Sequence, residues 1–271
     1  MASSWGSVTP VQVLDRYFSS TSQITSQAQQ NPTTYGVWGS FFPSAWQAGN
    51  PNVVASLYIL PMQDPNRISG HDLNWWKANH PDWILHPCDS TGAMHTDKDA
   101  YMIGSGFPDV PLDIENGEVV NYLLRQTIYP YMVANGYNAI ALDNISFTNT
   151  LMVGPNPTLG EGNPISGWYA CGTIDNSNVE HIHYHSTTDP QYATDVLNLV
   201  HTIKTDFTAD PTINSYHFHL LANHLYTSLS DPNMQSFLDP TQGIDALLDE
   251  AGFGNYGRGQ NSGSSSLLAK Y

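Results

Sequence analysis

From Thr34 onward, short apolar runs rich in β-formers alternate with longer segments of helical period. That alternation predicts βαβ units and a parallel sheet, because a parallel pair needs a crossover and a helix supplies it. The strand candidates are Tyr35 to Phe41, Val53 to Leu60, Val110 to Ile114, Ala139 to Asp143, Phe218 to Asn223 and Ile244 to Asp249. Several are almost continuously apolar, as strands covered on both faces should be. Between them Leu73 to Asn79, Glu118 to Ala134, Gln191 to Phe207 and Pro232 to Phe237 read as helices; Asn135-Gly136 supplies the stop for the second. Trp83 to His86 is a candidate short strand.

The expected fold is an α/β chain of the (β/α)8 TIM-barrel type, and a chain of 271 residues suits one such domain. Residues 1–33 read as an N-terminal extension with one short helical candidate, Val11 to Phe18; residues 34–256 form the barrel domain, and 257–271 a Gly/Ser-rich tail. Six strand candidates fall short of the eight that a barrel requires. Three explanations stay open: strands hidden in long loops, a barrel shortened at its C-terminus, or a second copy that completes it.

In parallel α/β folds ligands meet the carboxyl ends of the strands, so an acid that abruptly closes an apolar strand is a candidate catalytic group. Asp143 follows Ala139-Ile140-Ala141-Leu142, and Glu250 follows the run from Ile244 to Asp249. Glycoside hydrolysis uses such a pair: one carboxyl protonates the leaving oxygen while the other attacks the anomeric carbon or activates water. The bland alternative is that each acid caps a helix or pairs with a base. Only 8 Lys plus Arg stand against 24 Asp plus Glu, which makes pairing the scarcer option.

The same imbalance, a formal net charge of −16, sets nucleic acid and anionic membrane surfaces aside as partners. No run is long and apolar enough to span a bilayer, so no membrane insertion is expected. The start, Met1-Ala2-Ser3-Ser4-Trp5, lacks the regions of a signal peptide, yet charged residues make up only 12% and small polar residues are plentiful, as in secreted or cell-surface proteins. Cys88 and Cys171 lie in loop-like contexts without zinc-ligand spacing; a disulfide and two free thiols are equally compatible with that.

The series Val53-Val54-Ala55-Ser56-Leu57-Tyr58, Pro111-Leu112-Asp113-Ile114, Gly136-Tyr137-Asn138-Ala139-Ile140-Ala141-Leu142-Asp143-Asn144 and Asp249-Glu250-Ala251-Gly252-Phe253 resembles, in the same order, the motifs of barrel glycoside hydrolases related to the endo-alpha-1,4-polygalactosaminidase family. The resemblance implies a (β/α) barrel acting on a polysaccharide or oligosaccharide without a cofactor. It casts Asp143 and Glu250 as the catalytic carboxylates, Asp113 as a further site residue, and Asn144 and Asn223 as sugar-binding amides. Asn138 departs from the acid common in that family, and the family's last strands have no counterpart here.

Sugar rings pack on aromatic side chains, and seven Trp and fifteen Tyr offer many. Trp38, near a strand end, and Trp168, in a long loop, are the expected platforms. Trp75 and Trp76, adjacent in one helix, fit one core and one surface ring better. His181-Ile182-His183-Tyr184-His185 places three imidazoles on one side of an extended segment, so a metal-dependent hydrolase using His181, His183 and His185 is an alternative. No HExxH, phosphate loop or G-x-S-x-G elbow accompanies it. A third reading, from another class, is an inactive barrel that binds carbohydrate or self-associates in a surface assembly.

Overall fold

The computed structural model describes residues 12–15, 20–30, 32, 34–38, 40–64, 66–99, 101–102, 110–149, 152–153, 165, 167–224 and 231–248. In chain order these form β1 (Gln12–Asp15), α1 (Thr21–Gln30), β2 (Thr34–Trp38), α2 (Pro43–Gly49), β3 (Val54–Ile59), β4 (Gln63–Asp64), α3 (Asn66–Ser69), α4 (Leu73–Asn79), β5 (His86–Cys88), β6 (Tyr101–Met102) and β7 (Val110–Pro111). There follow α5 (Gly117–Asn121), a π-helical stretch (Tyr122–Ile128), α6 (Tyr129–Asn135), β8 (Ala139–Ile145), β9 (Met152–Val153), β10 (Tyr169–Ile174), β11 (Glu180–Ile182), α7 (Pro190–Ala209), β12 (His219–His224), α8 (Pro232–Phe237) and β13 (Ala246–Leu248). The chain divides into two compact units, the first made of Met1–Ile59, Pro130–Ile145 and Val200–Tyr271, the second of Leu60–Tyr129 and Ser146–Leu199.

The first unit is built on a six-stranded sheet in the order β1-β2-β3-β8-β12-β13, curled as a half-barrel and parallel throughout. Spatial order follows chain order without a reversal, the winding of a barrel and not of a doubly wound sheet. Among the described residues no pairing joins β13 to β1, so the sheet accounts for six strands where eight were expected. Central β8 explains its own composition: flanked by β3 and β12, it buries Ala139, Ile140, Ala141 and Leu142 completely. Helix α7 carries its apolar stripe at helical spacing, and within this unit Val200, Ile203 and Phe207 are buried, with Phe207 edge-on to Phe218.

Two expectations change here. Gln12–Asp15, within the helical candidate Val11 to Phe18, is strand β1 and pairs with β2. A four-residue run with only Val13 and Leu14 apolar has no periodicity to separate helix from strand, and an open edge of a parallel sheet offers it a ladder. The stretch read as an extension thus contributes β1 and α1, and α1 buries Ile24 and Ala28 in a cluster with Val37, Ala45, Trp46 and Val53. The second change concerns Val110 to Ile114. It is not a strand of the parallel sheet: only β7 forms, antiparallel to β4, in the second unit. Pro111 has no amide to give to a central ladder.

The second unit therefore consists of the chain that follows β3 and the chain that follows β8. Its three-stranded sheet, β11-β10-β5, is antiparallel. The β10–β11 turn is closed by Asp175, whose Oδ1 accepts from Ser177 N and Val179 N, with Asn178 at φ 59°. These strands went unread in the sequence because β11 is fully exposed and shows no apolar alternation. The expected short strand Trp83 to His86 splits into a 3₁₀ turn, Pro81–Trp83, and the start of β5. Helix α4 spans the expected residues, capped by Asp72, and it buries Trp76 while Trp75 stays partly exposed against His71.

Cys88 and Cys171 are joined as a disulfide across β5 and β10, Cα to Cα 5.5 Å, which decides the question the sequence left open. Both are completely buried with Tyr169 and Met94 around them.

Candidate active site

At the carboxyl end of β8 the ladder with β12 slips. Leu142 pairs with Ala222 but Ile145 pairs with His224, so β8 carries one extra residue across Asp143 and Asn144. A bulge of this kind re-aims side chains at a strand end. Asn144 absorbs it at φ 55°, a left-handed conformation that Asn tolerates better than most residues.

Asp143, 7% exposed, is gripped from both neighbouring strands. Tyr58 of β3 donates its hydroxyl to Asp143 Oδ2, and Asn223 of β12 donates its side-chain amide to Asp143 Oδ1. Asn223 uses its own Oδ1 to accept the backbone N–H of Asn144 at 2.6 Å. Three adjacent parallel strands thus converge on one carboxylate at their carboxyl ends. Of the residues expected from sequence, Asp143, Asn144 and Asn223 come together. Tyr58 was visible only as the last residue of an apolar motif; an aromatic hydroxyl closing a buried strand beside a strand-end acid is the signal that could have found it.

The other expected residues have different placements. Glu250 lies outside the described residues, and the Trp38 side chain likewise. Trp168, in the second unit, is partly exposed and stacks on His95, ring centroids 4.3 Å apart, so one of its faces is already covered. His95 is held in turn by Asp89 at 3.0 Å.

Asp113 belongs to the second unit, whereas Asp143 belongs to the first. It is 3% exposed and accepts the backbone N–H of Glu115 at 3.0 Å. His183 stands beside it: Nε2 is 3.7 Å from Asp113 Oδ2, and Nδ1 is 2.6 Å from Glu115 Oε2. Burial raises the Asp113 carboxyl above its usual range, and the nearby His183 opposes that shift. Asp195, 3% exposed, is pushed up to about 6 by burial first, with Asp113 and Glu115 adding to the rise. Burial, together with Asp195, also raises the hydroxyl of Tyr184.

The histidine triplet does not act as a unit. Strand β11 ends at Ile182, so the alternation that would align three imidazoles stops before His183. His181 turns to Asp175 at 3.0 Å, His183 to Asp113 and Glu115, and the backbone of His185 to Asp189 at 2.7 Å. Among the described residues one group of three candidate ligands forms, and it takes a single histidine of the triplet: donor atoms of Asp113, Glu115 and His183 all lie within 4.8 Å of one another.

No family model and no curated protein matches the chain by sequence. Solved structures do match by fold. A cycloisomaltooligosaccharide glucanotransferase of Paenibacillus sp., complexed with cycloisomaltoheptaose, superposes with a TM-score of 0.50 at 9% identity, over 88% of this chain and 33% of that one. A GH36 alpha-galactosidase of Geobacillus stearothermophilus gives 0.41 at 11% identity (88% and 30%), and a xylosidase of Aspergillus niger 0.39 at 8% (81% and 32%). The chain spans about a third of the length of these proteins. At such identities the likeness to the glucanotransferase is one of fold: a parallel barrel-type sheet. No helix among the described residues is long and apolar enough to cross a membrane.

Proposed function

We propose that this chain is, or is part of, a carbohydrate-active hydrolase that cleaves glycosidic bonds of a polysaccharide by a two-carboxylate mechanism. The observation that carries the reading is Asp143 at the carboxyl end of a central parallel strand, oriented by Tyr58 and Asn223. A carboxylate that must attack an anomeric carbon or activate water has to be held in one pose, and two donors from two strands do that. Asp143 serves as nucleophile or base; Glu250, which follows the strand-forming run Ile244 to Asp249, serves as the general acid that protonates the leaving oxygen. Asn144 is assigned to sugar binding at that strand end, and Trp168, in the second unit, is assigned by itself as a sugar platform through its ring face opposite His95. The fold shared with a glucanotransferase solved with a cyclic sugar supports a carbohydrate ligand. The buried Cys88–Cys171 bridge supports a secreted or cell-surface location.

The test is hydrolysis of a polysaccharide panel by the parent chain, Asp143→Asn and Glu250→Gln, followed by release of reducing ends. Loss of about 100-fold or more in each variant is expected. Equal turnover in all three would exclude the assignment.

A further inference from the structure

We propose that Asp113, Glu115 and His183 form a binding site for a divalent first-row transition cation of the Zn²⁺ or Mn²⁺ class. The three side chains come from two separate stretches, the turn after β7 and the residue after β11, and they offer two carboxylate oxygens and one imidazole nitrogen within 4.8 Å of one another. That donor set, one nitrogen and two oxygens, suits zinc or manganese better than calcium, which takes oxygen alone. Around a tetrahedral ion with bonds near 2 Å the ligand atoms stand roughly 3.3 Å apart. One ion takes one ring nitrogen: His183 Nδ1 lies 2.6 Å from Glu115 Oε2, its Nε2 lies 3.7 Å from Asp113 Oδ2, and the three donor atoms stand within 4.8 Å of one another. Small side-chain rotations would exchange the His183–Glu115 hydrogen bond for two bonds to one ion. Three protein ligands leave a position for water or for an oxygen of a bound molecule.

Two further observations favour a cation at this place. Gln63 is 3% exposed, and among the described residues neither its amide nitrogen nor its amide oxygen has a hydrogen-bond partner. It lies directly opposite Pro111 in the β4–β7 pair, and Leu112 N continues the ladder to Met62 O. Opposed residues share a face and alternate residues return to it, so Gln63 is on the face of Asp113. A buried amide with nothing to bond is costly unless a ligand or its water satisfies it. The second observation is charge. Asp113 and Glu115 set a carboxylate beside each nitrogen of the one imidazole of His183. Acidic groups gathered around one imidazole are short of positive charge, and an ion would supply it.

The site is independent of Asp143, and its test reads binding, not catalysis. The full chain, stripped with a chelator and dialysed, is titrated with ZnCl₂ by calorimetry, with CaCl₂ as a control. One equivalent of Zn²⁺ is expected to bind, with affinity reduced about tenfold or more by His183→Ala and by Glu115→Gln, and unchanged by His181→Ala. Glu115 is 40% exposed, so its conservative replacement leaves folding intact and decides the matter should His183→Ala unfold. Absence of saturable Zn²⁺ binding, equal affinity in all variants, or tighter binding of Ca²⁺ than of Zn²⁺ would overturn the proposal.

Discussion

Asn223 holds Asp143 and, through the backbone amide of Asn144, the bulge that presents it: one amide side chain donates to the carboxylate and accepts from the next residue's N–H. The contact crosses the β8–β12 pair where the ladder slips, so hydrogen bonds lost to the bulge are recovered by a side chain. On the other side Tyr58 completes the grip.

Replacing Asn223 by Leu leaves the Asn144 N–H and one Asp143 oxygen without their partners inside a buried strand end. A loss of about 1–3 kcal/mol in urea unfolding is expected, together with loss of hydrolysis. Tyr58→Phe removes a single hydroxyl and should cost about 1 kcal/mol. Unaltered stability in Asn223→Leu would mean that the amide bridge contributes nothing.

Asn144 at φ 55° gives a sharper test of the bulge. Asn144→Gly should leave stability within about 0.5 kcal/mol, whereas Asn144→Val should lower it by about 1–2 kcal/mol, since a β-branched side chain resists the left-handed region. Equal midpoints for the two variants would show that the conformation is not enforced.

The Cys88–Cys171 bridge closes a sequence separation of 83 residues in the second unit. Thiol labelling of the denatured, unreduced chain should find no free cysteine. The Cys88→Ser, Cys171→Ser double variant should lose about 2–5 kcal/mol of stability. Stoichiometric labelling before reduction would contradict the bridge.

Asp195 predicts a pH effect in chelator-treated protein. Its carboxyl is raised to about 6 in the folded chain, above the ordinary value of about 3.9 that it regains on unfolding. Between those values the folded state holds a proton that the unfolded state has lost. This contribution to stability is therefore full below pH ~4 and lost as pH rises through ~6, an amount of about 1–2 kcal/mol after allowance for solvent screening. Urea unfolding from pH 4 to 7 should show this fall in the parent chain relative to Asp195→Asn. Parallel profiles would remove the assignment.

Much of the first unit was legible along the chain. Runs such as Ala139 to Leu142 are apolar because a central parallel strand is covered on both faces, and the helix Pro232 to Phe237 was readable to the residue, as was Leu73 to Asn79 in the second unit. Asp143 was legible as a polar stop on such a strand, whereas Asn144 and Asn223 entered only through the family resemblance. What stayed hidden lacked an apolar period: β11 is exposed, β5 and β1 are short, and the buried strand β10 is interrupted by Gly172 and Thr173.

Local sequence by itself determined which strands are buried and which acid ends one, since burial and periodicity are written in consecutive residues. Only the tertiary structure decided the company each acid keeps. It tied Asp143 to Tyr58 and Asn223, 85 and 80 residues away, through parallel neighbours. It set Asp113 beside His183, a contact between two stretches that no local pattern links. Side chains distant in sequence meet only once strand register and turn geometry are fixed, and those depend on the whole fold.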